Sequence, residues 1–69
     1  MLLSARNQFR GTVTSIEKGT VTTLVTVSLD GGHELTSSIT KRAADELGLT
    51  EGMPVTAAVK SSEVILAVE

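Results

Sequence analysis

From Thr20 to Leu29 the side chains alternate so regularly that one local structure accounts for them, an extended strand with two unlike faces. Val21, Thr23, Val25, Val27 and Leu29 fall on one face, and Thr22, Leu24, Thr26 and Ser28 on the other. Asp30-Gly31-Gly32 follows at once, and its glycines supply the positive φ values of a tight hairpin. The chain therefore doubles back, with His33 to Thr40 as the returning strand and Leu35 and Ile39 as its apolar positions. A lone hairpin is marginal in water and needs further strands or a helix against its apolar face.

The flanking stretches provide them. Phe9 to Ile16 alternates less strictly, Gly11 marking a bulge or a close backbone approach, and Lys18-Gly19 turns into the central strand. Thr40 is placed to cap a short helix through Leu47, with Ala43, Ala44 and Leu47 as its apolar stripe and Gly48 to end it. Lys41 and Arg42 occupy its first turn, where the helix dipole disfavours cations and a nearby anion would offset the penalty. A turn over Leu49 to Met53, around Gly52, leads to a strand opened by Pro54, with Val55, Ala57 and Val59 on one face. Val64 to Val68 is apolar at nearly every position, the pattern of a strand buried on both faces. Three strands, a short helix and two strands is the order of an OB-type Greek-key barrel. The expected fold is all-β, a small five-stranded barrel with one short helix after the third strand, forming a single domain over residues 1–69.

A chain of 69 residues builds only a thin core. Such chains are normally held by disulfides, a metal or a partner subunit. There is no cysteine and His33 is the only histidine, so neither a disulfide nor a side-chain-coordinated metal site is expected. Assembly of identical copies is the staple that remains. A net charge of −2 and a single aromatic residue argue against a nucleic-acid partner, which calls for a basic excess and stacking platforms. No apolar run approaches the roughly 20 residues of a membrane span. Leu2-Leu3 is too short for a signal-peptide core, so a cytoplasmic protein without a membrane partner is expected. Catalysis fails on inventory. His33 sits beside glycines, Asp45 and Glu46 are helix neighbours that point apart, and no phosphate loop or dinucleotide fingerprint appears.

What the chain does hold is a concentration of donors at its two ends. Ser4-Ala5-Arg6-Asn7-Gln8 and Lys60-Ser61-Ser62 together carry two cations, three hydroxyls, two amides and no carboxylate. That inventory suits a small, fully deprotonated anion, provided the fold brings the two runs together. Arg6 offers a planar fork, Lys60 a point charge, and Ser4 and Ser61 hydroxyls, with backbone N–H groups around Ala5 and Ser61 to complete the shell. The competing reading makes Arg6 and Lys60 ordinary solvated charges at strand ends.

With these features in place, the sequence resembles the molbindins, small molybdate-binding proteins built from one Mop domain, over nearly its whole length. The likeness rests on Ser4-Ala5-Arg6-Asn7-Gln8 followed by Gly11 and Val13, and on the Gly31-Gly32 hairpin. Glu46-Leu47-Gly48-Leu49 with Glu51-Gly52, and Val59-Lys60-Ser61 before the apolar final stretch, complete it. The resemblance implies an OB-type barrel assembled as a hexamer, a trimer of dimers. It also implies molybdate or tungstate at subunit interfaces, no organic cofactor, and storage or buffering of the anion as the role. It puts Ser4, Ala5, Arg6, Lys60 and Ser61 at the anion, joined by Thr40 from a neighbouring subunit. Many relatives have a serine where this chain has Ala43, so one hydroxyl is missing or is replaced by water or Ser38. A second site near a threefold axis, held by backbone, would fall on Lys18, Gly19, Thr20 and Val21. The rival is a structural or regulatory OB-like oligomerisation module with no specific anion ligand.

Overall fold

The computed structural model describes residues 3–69, so Met1 and Leu2 lie outside the described residues. The elements are β1 (Asn7–Lys18), β2 (Thr22–Leu29), β3 (Glu34–Thr40), α1 (Lys41–Leu47), β4 (Pro54–Val59) and a 3₁₀ turn, Ser61–Glu63. All strand pairings are antiparallel, and the order across the sheet is β3-β2-β1-β4. The sheet curls until its two edges, β3 and β4, face each other across a groove. The result is an all-β half-barrel with an OB-like course and one short helix.

The core is as thin as the length implies. Val13, Val25 and Val27 form its buried centre, with Ile16, Leu29, Ile39, Leu49, Met53 and Val55 packed around them. Thr23 is fully buried in the same row, and its hydroxyl has no hydrogen-bond partner. The alternation of β2 thus holds from Thr23 onward. Val21, expected on the same face, lies in the turn before the strand and is 72% exposed.

Strand β1 carries both irregularities that Gly11 alone was expected to mark. The register with β2 shifts between Val13 and Ser15, so the bulge sits at Thr14 and lets Ile16 join Val13 against the core. Gly11 is instead the close approach. A Cβ there would stand 2.6 Å from the Ser28 carbonyl oxygen and 2.6 Å from a Val27 methyl. Gly11→Ala is expected to destabilise the fold by about 1–3 kcal/mol, the range for overpacking. An unchanged thermal melt would show that the two strands part there freely.

The helix behaves as its ends dictate. The Thr40 hydroxyl accepts from the Ala43 N–H at 3.0 Å. Gly48 takes the left-handed conformation, φ 63°, that stops the helix. Ala44 is buried, whereas Leu47 stays 63% exposed at the mouth of the groove. Arg42 pairs with Glu46 at 3.0 Å on the solvent side, where such a pair contributes little.

The expected fifth strand does not form. Val64 to Val68 joins no ladder, and Ile65, Leu66 and Val68 are 92%, 89% and 97% exposed. The 3₁₀ turn after β4 carries the segment away from the groove. A strand apolar on both faces also finds no second face to lie against within one chain.

Candidate functional site

The β1–β4 ladder is what joins the two donor runs. It closes with Asn7 opposite Val59, so the run before Asn7 and the run after Val59 leave the sheet from neighbouring strands at the same end. The Asn7 side-chain amide donates to the Val59 carbonyl at 3.3 Å and clamps that end of the ladder. The Gln8 amide donates to the Ala5 carbonyl at 3.0 Å and folds the preceding residues back on the strand. Both amides are therefore engaged by backbone, and the donor inventory shrinks to the cations, the hydroxyls and the main chain.

The remaining donors stand open. Ser4, Arg6, Lys60 and Ser61 are all exposed, with Ala5 half-buried among them. Among the described residues the one ion pair is Arg42–Glu46, so neither Arg6 nor Lys60 has a carboxylate partner. The 3₁₀ turn begins with the Glu63 N–H on the Lys60 carbonyl at 2.9 Å, which leaves the N–H groups of Ser61 and Ser62 without an acceptor inside it. Two unpaired cations at one end of the β1–β4 ladder, with unengaged N–H and O–H groups, concentrate donors there on a chain of net charge −2. Its natural complement is an anion.

Thr40 lies at the opposite pole. It pairs with Thr22, and Thr23 pairs with Lys18 at the far end of β1. The twelve residues of β1 separate that pole from Arg6, roughly 35 Å of extended chain. Of the expected second site, Thr20 and Val21 lie by Thr40, where the Lys41 N–H donates to the Val21 carbonyl at 2.8 Å, whereas Lys18 lines a separate cavity with Ile16, Ala44 and Thr50. Thr20, Val21, Thr40, Lys41 and Arg42 line one open cleft of about 530 Å³ there. Gly19 N–H is already bonded to the Thr22 carbonyl at 2.8 Å and is not available to a ligand.

One property of Thr40 is invisible in the sequence. Its oxygen accepts the capping bond from Ala43, so its own O–H still has a proton to donate. Ala43, the departure from the resembled pattern, is half-buried and contributes its N–H to that cap. Among the described residues no group of three or more His, Cys, Asp or Glu side chains is arranged to hold a metal ion. No helix among them is long and apolar enough to cross a membrane.

With this geometry in hand, the TOBE domain family matches residues 3–66. The chain belongs to that family. Molybdenum-pterin-binding protein 2 of Clostridium pasteurianum is 44% identical to this TOBE domain over 66 residues, 96% of this chain and 97% of that protein. The molybdenum transport protein ModE of Herbaspirillum seropedicae is 48% identical over 67 residues, 97% of this chain and 25% of its own length. The chain thus spans about a quarter of that relative. Among solved structures, the cytoplasmic molybdate-binding protein ModG with molybdate bound matches at a TM-score of 0.95 and 51% identity. That match covers 100% of this chain and 49% of ModG. The OB-like half-barrel is therefore the fold of molybdate-binding proteins, here with four strands in the sheet of a single chain.

Proposed function

We propose that this TOBE domain binds molybdate, with tungstate as its analogue, as an intact oxyanion and without an organic cofactor. The observation that supports the reading is the pairing of β1 with β4, which starts the run holding Arg6 and the run holding Lys60 from one end of the sheet, with no carboxylate paired to either cation. Arg6 and Lys60 supply charge, Ser4 and Ser61 supply hydroxyls, and main-chain N–H groups near Ala5 and Ser61 fill the remaining directions. Thr40, a full strand length away, reaches such an anion only from another copy, so the site lies at subunit interfaces of a homo-oligomer. A hexamer built as a trimer of dimers, storage or buffering in the cytoplasm, and one domain over residues 1–69 complete the proposal. The pterin in the relative's name has little to stack on here, because Phe9 is the one aromatic residue.

Equilibrium dialysis against labelled molybdate tests the proposal, with about one anion or more per chain expected. No uptake would leave the oligomerisation module as the function. Phosphate should compete poorly at neutral pH, because the cations and main-chain N–H groups of the site cannot accept a hydrogen bond from monohydrogen phosphate and a hydroxyl that did so is a weaker acceptor than a carboxylate. Phosphate displacing molybdate at equal concentration would mean that a carboxylate reaches the anion, and Glu63, in the turn beside Lys60, is the nearest in sequence.

Thr40→Asp separates capping from binding. Aspartate caps as well as threonine, so the helix should keep its stability. It donates nothing when ionised and repels an anion, so molybdate uptake should fall steeply. Thr40→Ser should retain both. Unchanged uptake by Thr40→Asp would remove position 40 from the site.

A further inference from the structure

The tip of the β2–β3 hairpin sets an unengaged carboxyl beside an unengaged amide nitrogen. Around it the Asp30 N–H donates to the Arg10 carbonyl at 3.0 Å, the Gly32 N–H to the Leu29 carbonyl at 3.0 Å, and the Leu29 N–H to the His33 carbonyl at 2.6 Å. The Asp30–Gly31 peptide between these bonds is tied by neither its C=O nor its N–H among the described residues. The exposed Asp30 carboxyl likewise takes part in no hydrogen bond or ion pair among them. Gly31 has φ 101°, and a Cβ built on it would meet nothing within 4 Å. Nothing crowds its nitrogen, and glycine leaves the backbone free to turn there.

We propose that Asp30 is a site of spontaneous covalent modification, closing on the Gly31 nitrogen to a succinimide and reopening largely as isoaspartate. In the first step the lone pair of the Gly31 nitrogen forms a bond to Cγ of the protonated carboxyl. The C–OH bond breaks with its electron pair, and the hydroxyl leaves with the proton of the nitrogen as water. In the second step water adds to one carbonyl of the five-membered ring. Addition at Cγ restores aspartate. Addition at the Asp30 main-chain carbonyl breaks that carbon's bond to the nitrogen and leaves the chain running through Cγ. Water is the only reagent, lost in one step and regained in the next, so isomerisation leaves the mass unchanged.

The fold singles out this position among the chain's three Asp and Asn residues, Asn7, Asp30 and Asp45. The Asn7 amide nitrogen is held on the Val59 carbonyl, and the next residue, Gln8, is paired with Ala58 in the ladder. Asp45 lies inside α1, where the following Glu46 brings a side chain beside the nitrogen. At the tip, isoaspartate adds one backbone carbon between the Leu29 carbonyl and the Gly32 N–H, the pair that closes the turn. It also leaves an α-carboxylate of the kind that isoaspartyl-directed methyltransferases esterify. Molybdate plays no part in this chemistry, which stands or falls apart from the anion site.

Ageing the folded full chain in heavy-oxygen water at physiological temperature tests the assignment. Trypsin then releases peptide 19–41, which holds Asp30 and no other Asp or Asn. That peptide should gain one heavy oxygen per turnover and become a substrate for methylation by an isoaspartyl methyltransferase. Its rate in the folded chain should lie within about tenfold of the free peptide's, because no hydrogen bond has to open first. Asp30→Glu keeps the charge but must close a six-membered ring, so both labels should disappear from the peptide. A folded chain whose peptide 19–41 stays unlabelled would overturn the assignment. So would labels that appear first at Asn7 or Asp45, or that persist in peptide 19–41 of Asp30→Glu.

Discussion

Arg6→Ala and Lys60→Ala are each expected to weaken molybdate binding by about one to two decades. A hydrogen bond to a charged group contributes roughly 1.5–3 kcal/mol, and a decade of affinity is about 1.4 kcal/mol. Both side chains are exposed and without a carboxylate partner, so truncation strands no buried charge and the loss reports the contact itself. Arg10→Ala is the matched control. It removes an exposed cation of the same kind, one that lies opposite Thr56 within the β1–β4 ladder and outside both donor runs. Calorimetry should therefore show Arg10→Ala close to the parent. Arg6→Lys should recover only part of the loss, because a point charge cannot reproduce a planar fork on two oxygens. Either alanine variant binding within twofold of the parent would take that residue out of the site.

Much of this was legible in the residues, for reasons that differ from element to element. The β2–β3 hairpin was readable because alternation and a Gly-Gly turn are local signals, and Thr23, Val25 and Val27 point inward as their spacing requires. The helix was readable from its two ends, Thr40 and Gly48, whose capping chemistry is equally local. Val21 and the Thr14 bulge were not, since a turn boundary and a one-residue slip are settled by the neighbouring strand. The tail was misread for a deeper reason. Val64 to Val68 has the composition of a doubly buried strand, but composition does not supply the neighbouring strands, and within one chain the segment joins no ladder. The candidate site stands between these cases. Its donors could be counted from the sequence, yet their meeting depends on Asn7 lying opposite Val59, a pairing between residues 52 apart in the chain. The same count overstated the site, because the Asn7 and Gln8 amides hold backbone.

Molybdate and assembly are expected to stabilise each other, and melting temperature should rise with both molybdate and protein concentration. A core of three valines with its neighbours, under an open groove, leaves the single chain marginal. Each proposed site combines Arg6 and Lys60 of one copy with Thr40 of another, so no subunit owns a complete shell. Crowding those cations without an anion raises the energy of the assembly, and filling the site turns repulsion into attraction. A ligand that binds only the assembled state stabilises it by RT ln(1 + [L]/Kd), about 2.7 kcal/mol per site at a hundredfold excess over Kd. For a domain of this size that is a shift on the order of 10 °C or more. Arg6→Ala should lose most of the molybdate-dependent rise and keep the dependence on protein concentration, because the apolar groove and the exposed apolar residues 64–68 do not include Arg6. Sedimentation of the parent chain, with and without molybdate, provides the decisive comparison. A monomer at micromolar concentration that still bound molybdate tightly would refute a site shared between subunits.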